Sequence, residues 1–318
     1  MYSYLLGSLY LGWALGSNDA ANVFGTTVTS RMLKWRTAAF LAAAFVILGA
    51  YLEGAPGIET LSGLARGQTL ASAGLLSLAA ALAVTVLTFL KLPASTSQAV
   101  VGAIMGMALY RGQTVNWSEL LKVGICWIAT PLGGALSAAL LYVAGRALIY
   151  RLKINMIRLD GYIRLGMILG GCYGAYALGA NNAANVTGVF MGTGLFGLRG
   201  GAEARLLALL AGGAIAFGIL TFSYRVMVTV GRSLYDLDPF SALVALLAHS
   251  VTVHSLAVVG VPVSSTQAII GGVLGVVAVR GLYKLNLRVL VMVLLGWIAT
   301  PLLAGLAALG VARLLLPG

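Results

Sequence analysis

The chain has 318 residues, a formal net charge of +12, 60% hydrophobic residues and only 9% charged ones, with a mean hydropathy of +0.99. A water-soluble core needs far less apolar surface, and apolar runs close to a bilayer in length recur along the sequence, which excludes a soluble domain and predicts an all-α polytopic membrane protein. The basic residues fall mainly in short loops between those runs, where they orient the chain and meet acidic lipid heads, so nucleic acid is not an expected partner.

Taken in chain order, the first half predicts five crossings, at about 3–30, 37–53, 70–90, 95–110 and 122–148. The first carries GSNDAANVFG (16–25), with Asn18, Asp19 and Asn22 where a span should be oily. That polar decapeptide argues against a cleaved leader and predicts an interruption of the helix. A basic loop, RMLKWR (31–36), follows. YLEGAPGIET holds Glu53 and Glu59 beside Pro and Gly, and reads as an interface, with a place lining a route through the membrane as the alternative. PASTSQAVVG (93–102) comes next, then CWIATP (126–131), whose proline predicts a structural kink. A short basic joint, RALIYRLKINMIRLDGYIR (146–164), leads into the second half. There, GANNAANVTG (179–188) precedes Arg225, which is expected to snorkel to the surface. His249 and His254, in LLAHSVTVHSLA, are expected to be packed and hydrogen-bonded, with proton relay as the alternative. PVSSTQAIIG (262–271) and GWIATP (296–301) close the series. The two cysteines, Cys126 and Cys172, lie in apolar segments and have no metal-ligand spacing.

The chain is therefore one plan written twice. The decapeptides begin at 16 and 179, 163 apart; the Pro-x-Ser segments at 93 and 262, 169 apart; the Trp-Ile-Ala-Thr-Pro segments at 127 and 297, 170 apart. The predicted division is a first transmembrane repeat at 1–150, a basic linker at 151–160 and a second repeat at 161–318. Five crossings is an odd number, so the second repeat runs upside down relative to the first. RMLKWR, the joint and RGLYKLNLR (280–288) then share one side, and Arg111 with Arg199 to Arg205 the other. The positive-inside rule makes the first side cytoplasmic and leaves both termini outside.

The doubled motifs carry the chemistry. Each Pro-x-Ser segment has a Ser, a Gln three residues on, and then an apolar run: the pattern of a capping box, in which Ser bonds an early N–H and Gln reaches back. A helix that starts at membrane depth turns unpaired N–H donors and about half a positive charge inward, and such an end binds anions. Ser95, Thr96, Ser97 and Gln98, with Ser264, Ser265, Thr266 and Gln267, are the candidate anion ligands. Helix–helix stitching by hydroxyls is the bland alternative. Asn18, Asp19 and Asn22, with Asn181, Asn182 and Asn185, supply oxygens at one-turn spacing, together with carbonyls of unwound backbone, for a hard cation such as sodium. No Lys or Arg lies inside these motifs. An oxyanion bound there lacks a fixed counter-charge, so it is expected to travel with cations.

At these motifs the chain resembles the inorganic phosphate transporter (PiT) family, which carries a GANDVANA-like signature in both halves and PxSxT-type segments. The resemblance spans nearly the whole chain. It implies an inverted-repeat membrane fold of ten to twelve elements with broken or re-entrant helices, and sodium- or proton-coupled symport of inorganic phosphate. By match, Asp19, Asn22 and Asn185 would serve sodium as co-substrate, and Ser95, Thr96, Ser97, Ser264, Ser265 and Thr266 would hold the anion. Two departures stand out. Asn182 replaces the Asp of the second signature, and the hydrophilic domain of many members is reduced to the basic joint. The family also contains sulfate permeases, so a sulfate or other oxyanion permease is the alternative, with a passive anion channel behind it. A single membrane Asp and no Ser–His protease motif argue against an intramembrane enzyme. The expected setting is the cell's inner (plasma) membrane, multi-pass, among lipids, with no resident cofactor and with a homo-oligomer left open.

Overall fold

A computed structural model describes residues 2–90, 94–233, 237–281 and 287–316. Eleven α-helices occur among them. The first repeat contributes α1 (Leu5–Thr29), α2 (Trp35–Glu53), α3 (Ala55–Leu64), α4 (Leu70–Phe89), α5 (Thr96–Arg111) and α6 (Trp117–Arg151). The second contributes α7 (Met156–Thr187), α8 (Gly201–Ser233), α9 (Pro239–Val258), α10 (Ser265–Arg280) and α11 (Leu287–Leu315). Six of these helices are long and apolar enough to cross a membrane.

Two predicted details are corrected. The decapeptides do not interrupt their helices: α1 and α7 run unbroken through them, because Ala and the small residues around the asparagines keep the backbone helical while the amides project sideways. The unwound carbonyls expected there are absent from the described backbone. The region 37–64 forms two helices rather than one crossing and a loop. Gly54 and Pro56 break it, and α3 then continues along α7 in the direction of α2. Along this path Val46 meets Gly179, Gly54 meets Ala183, Gly57 meets Ala184 and Leu61 meets Gly188. The matching stretch of the second repeat, α8, stays unbroken.

The repeat inversion follows from the ends of the helices. Arg111 at the end of α5 donates to the Gly67 carbonyl before α4 (2.6 Å), so α4 and α5 form an out-and-back hairpin. Tyr110 donates to the Leu316 carbonyl, and the Tyr2 ring lies 6.4 Å from Phe196. These bonds gather both termini, the turns near 67 and 113, and the 191–200 loop on one side. In the second repeat Arg280 at the end of α10 pairs with Asp238, the N-cap of α9, which closes the α9–α10 hairpin on the opposite side. Partial burial alone would raise the Asp238 carboxyl. The bonds from Ser241 and the Arg280 charge outweigh it and hold the group below the usual carboxylate range. With α1 as one crossing, α2–α3 as one, a returning hairpin and α6 as one, the first repeat changes sides. Whether the hairpin spans fully or partly, the number stays odd.

The repeats interlock rather than sit side by side. The main packing partner of α1 is α8, and that of α2 includes α7; α5 packs on α11, and α10 on α6. Gly102 and Gly106 of α5 press on the Pro301 and Gly305 carbonyls of α11. Gly271 and Gly275 of α10 press on those of Pro131 and Ala135 in α6. This is small-residue packing, in which absent side chains let backbones touch in a solvent that offers no hydrophobic drive. It also gives the repeated Trp-Ile-Ala-Thr-Pro its place: each proline carbonyl seats a glycine of the other repeat. Thr130 and Thr300 bond the carbonyls four residues back.

Arg31, Lys34, Arg151 and Lys153 lie at the ends grouped with Asp238 and Arg280; Arg66, Arg111 and Arg199 lie on the other side. Most of the 280–288 loop, residues 282–286, falls outside the described residues. With Cys126 and Cys172 replaced by Ala, Lys34→Cys and Arg199→Cys are expected to react with an impermeant thiol reagent from opposite faces of the membrane, Lys34→Cys from the cytoplasm. Labelling of both from one face contradicts the inversion.

Candidate functional site

Four chain segments meet at the middle of the bundle: the decapeptide stretches of α1 and α7, and the turns leading into α5 and α10. Pro93 lies outside the described residues; Ala94 onward is buried. Ser95 is the N-cap of α5 and accepts from the Gln98 N–H at 3.4 Å; Ser264 is the N-cap of α10 and accepts from the Gln267 N–H at 3.2 Å. The Ser half of each predicted capping box is therefore present. The Gln half is not. The Gln98 and Gln267 Oε1 atoms are buried without a hydrogen-bond partner, so neither accepts from the N–H of its cap residue. Ser95 and Ser97 share a 3.2 Å bond.

The turn into α10 is held at depth by three side chains. Asn181 of α7 donates Nδ2 to the Val263 carbonyl and accepts the Val263 N–H on Oδ1, both at 2.8 Å. It thus pairs an irregular residue's backbone as a strand neighbour would, where no water can. Asn22 of α1 donates to Ser265 Oγ at 3.2 Å, and His249 Nε2 lies 2.9 Å from the same hydroxyl. Asn22 is seven residues, about 10 Å, from the end of α1, so the turn lies inside the membrane.

The two walls differ. Asn185, the counterpart of Asn22, donates to Asn182 Oδ1 at 2.9 Å instead of reaching α5, and its own Oδ1 is buried without a partner. Asn182 donates back to the Leu178 carbonyl. Asp19, the acid of the set, is 4% exposed and accepts from Asn18 at 3.3 Å. Asn181, Asn182, Asn185, Ser95, Thr96, Ser97, Ser264 and Ser265 are buried, whereas Asn18, Asn22 and Thr266 are partly exposed. Partial exposure continues along one face of α1 at Thr26 and Thr29. The polar face of α1 is thus partly exposed toward the side of the basic loops, whereas the matching face of α7 is buried.

The sequence model of the Phosphate transporter family matches residues 15–159 and again residues 154–308. The chain belongs to the phosphate transporter family. Among its relatives is a Pyrococcus furiosus protein named as a candidate phosphate permease, PF1020, 26% identical over 97% of this chain and 94% of that one. The chloroplastic inorganic phosphate transporter 2-1 of Arabidopsis thaliana is 25% identical, with 94% of this chain and 69% of that one covered. A solved structure of a sodium-dependent phosphate transporter superposes with a TM-score of 0.86 at 21% identity, over 98% of each chain. That likeness places the fold.

Within this member of the family, the structure brings together every residue set that the motifs singled out. Each turn meets the decapeptide helix of the opposite repeat, α10 on α1 and α5 on α7, and α1 and α7 pack on each other. His249 is packed and hydrogen-bonded, as expected, and its partner is a candidate anion ligand. Spacing gave no hint, because only the fold sets His249 beside Ser265. Glu53 is not a plain interface residue: it pairs with His254. Glu59 and Arg225 are exposed and stand away from the centre.

Asn181→Ala is expected to strip both partners from the Val263 backbone and to destabilise the folded protein by about 1–3 kcal/mol. Asn18→Ala removes only a long bond to Asp19 and should cost less. Melting of the purified protein in detergent checks the order; equal losses in the two variants contradict it.

Proposed function

We propose that this chain takes up inorganic phosphate across the plasma membrane by symport with sodium or protons. The observation that carries the reading is the pair of Ser-capped helix starts buried beside asparagines and one carboxylate, with no Lys or Arg among them. The first-turn N–H groups of α5 and α10 point inward with the positive ends of their helix dipoles, and Ser97, Ser265 and Thr266 add hydroxyl donors. This suits an oxyanion. The unpartnered carbonyls of Gln98, Gln267 and Asn185 suit either a phosphate hydroxyl or a hard cation, as does the Asp19 carboxylate. Sulfate at neutral pH has no proton to donate to such acceptors, which favours phosphate.

Anion and cation then compensate each other at depth. Neither is stable alone where the dielectric is low, and together they cross as a nearly neutral set. The inverted repeats would supply alternating access, the partly exposed face of α1 closing as the buried face of α7 opens. Sodium enters as co-substrate, and Asp19, Asn22 and Asn185 are its proposed ligands.

Reconstituted protein in liposomes, given labelled phosphate or sulfate under separately imposed sodium and proton gradients, tests the reading. Uphill phosphate accumulation on a cation gradient, with little sulfate, is expected; movement only down the phosphate gradient makes the protein a channel. Asp19→Asn should nearly abolish coupled uptake, since one unit charge at about 4 Å is worth roughly 4 kcal/mol at an effective dielectric near 20 before desolvation is subtracted. Thr266→Ala should weaken phosphate binding by about 1–3 kcal/mol. Normal coupled uptake by Asp19→Asn moves the cation site elsewhere.

A further inference from the structure

A second polar cluster lies outside the central site. His254 Nε2 stands 2.6 Å from Glu53 Oε2, and Tyr173 Oη lies 2.9 Å from His254 Nδ1. The Tyr173 and Tyr176 rings meet the imidazole edge-on, with centroids 5.4 and 5.5 Å away. Three helices supply these groups: α2 the Glu, α9 the His and α7 both tyrosines. His249 and His254 are five residues apart, about 140° around α9, so one faces the central site while the other faces this cluster.

The internal repeat supplies its own control. Tyr10 corresponds to Tyr173 and Trp13 to Tyr176, each 163 positions apart; Thr85 corresponds to His254 and Phe222 to Glu53, each 169 apart. The same contacts recur in the other half: Tyr10 bonds Thr85 at 2.8 Å, and the Trp13 ring packs on Phe222 at 5.5 Å. That half achieves the packing without any group that titrates near neutral pH. The fold therefore does not need an ion pair at this place. An ionisable pair at membrane depth is costly and is retained for function.

Its position gives the function. Gly54, next to Glu53, packs on Ala183, next to Asn182. Six residues beyond His254, Gly260 rests with φ +81 against Pro56 and Thr60 of α3, and Val263 with the anion-ligand turn follows. The pair thus ties the α9–α10 hairpin to α2 and α3, beside the wall of the site that has Asn182 where the other has Asp19. Side-chain exposures of 23% for His254 and 35% for Glu53 leave room for a proton to arrive. α3 adds Glu59, which faces a separate groove with Arg66 and Arg199. No Lys or Arg pairs with either member among the described residues.

We propose that Glu53 and His254, flanked by Tyr173 and Tyr176, form a proton-binding site that is loaded and emptied during the transport cycle. This rests on the phosphate-symport reading and names one coupling ion. In the paired form an imidazolium donates Nε2–H to the carboxylate and the pair is neutral. One further proton, taken up by Glu53, gives imidazolium plus neutral acid and releases the tie between α2 and α9. Loss of a proton from His254 gives neutral imidazole plus carboxylate. Each step changes the local charge by one and so favours a different hairpin position.

The test uses the full chain in liposomes at clamped membrane potential and fixed outside pH, so that external phosphate keeps one protonation mixture. Only the inside pH is raised. For one coupled proton, a unit pH gradient should lift phosphate accumulation by up to about tenfold. Glu53→Phe with His254→Thr installs the residues of the other repeat. It should keep phosphate exchange and lose the pH stimulation. Glu53→Gln, which keeps shape and removes the charge, should also lose it, and Glu53→Asp should restore part. Retained stimulation in both charge-removing variants overturns the proposal. So does a wild-type protein that accumulates phosphate on a sodium gradient and ignores the proton gradient. A protein that moves no phosphate under either gradient overturns the symport reading, and this one with it.

Discussion

A helix that begins in the middle of a membrane has N–H groups and no water to bond them. Everything at the centre of this protein answers to that constraint. Ser95 and Ser264 each take one donor, and Asn181 takes both backbone groups of Val263. The first-turn donors that remain give each buried helix start a partly positive end. An anion is the natural occupant, because the same end of the helix carries partial positive charge. The side-chain oxygens of Gln98, Gln267 and Asn185 are buried there without hydrogen-bond partners, and the proposed binding of anion and cation rests on that incompleteness.

The constraint also explains why the repeats interlock. A turn at depth must be walled by other helices, and one repeat alone cannot wall its own turn. Here the turn before α10 meets α1, while the turn before α5 meets α7. The hairpin legs are clamped to the long helices of the other half through glycines set on proline carbonyls. Methyl groups at Gly102 or Gly271 would collide with backbone, which cannot yield. The motifs that looked like separate features of the sequence are two sides of one contact.

Much of this was legible in the sequence. Three ordered motif pairs give the repeat, the odd crossing number gives the inversion, and Ser before an apolar run gives the buried helix starts. What was not legible depends on contacts made across the chain. Continuous helix through the decapeptides was hidden because asparagine and glycine at such density read as a break, while tertiary packing of Gly16 and Gly179 against α8 and α2 holds the helix regular. The missing Gln half of each capping box was hidden because the sequence pattern describes a local bond, while burial of Gln98 and Gln267 is set by the surrounding helices. Pairing of Glu53 with His254, 201 positions apart, left no local trace at all.

The two halves are alike in backbone and unlike in charge, and the differences are not scattered. Where the first decapeptide has Asp19, the second has Asn182; where the first repeat's packing site has Thr85 with Phe222, the second has His254 with Glu53. The wall that lacks the carboxylate is the wall that stands beside the ion pair. A neutral amide at Asn182 leaves α7 without a charge to attract a cation, yet a titratable carboxylate lies one residue from the contact between Gly54 and Ala183. A symmetric scaffold with symmetric charges would have equal reason to open to either side. Under the proposed symport, unequal charges give the two open states different energies. In this chain the asymmetry consists of residue exchanges at equivalent positions, which keep the packing contacts of the repeat and change only the charges set on them.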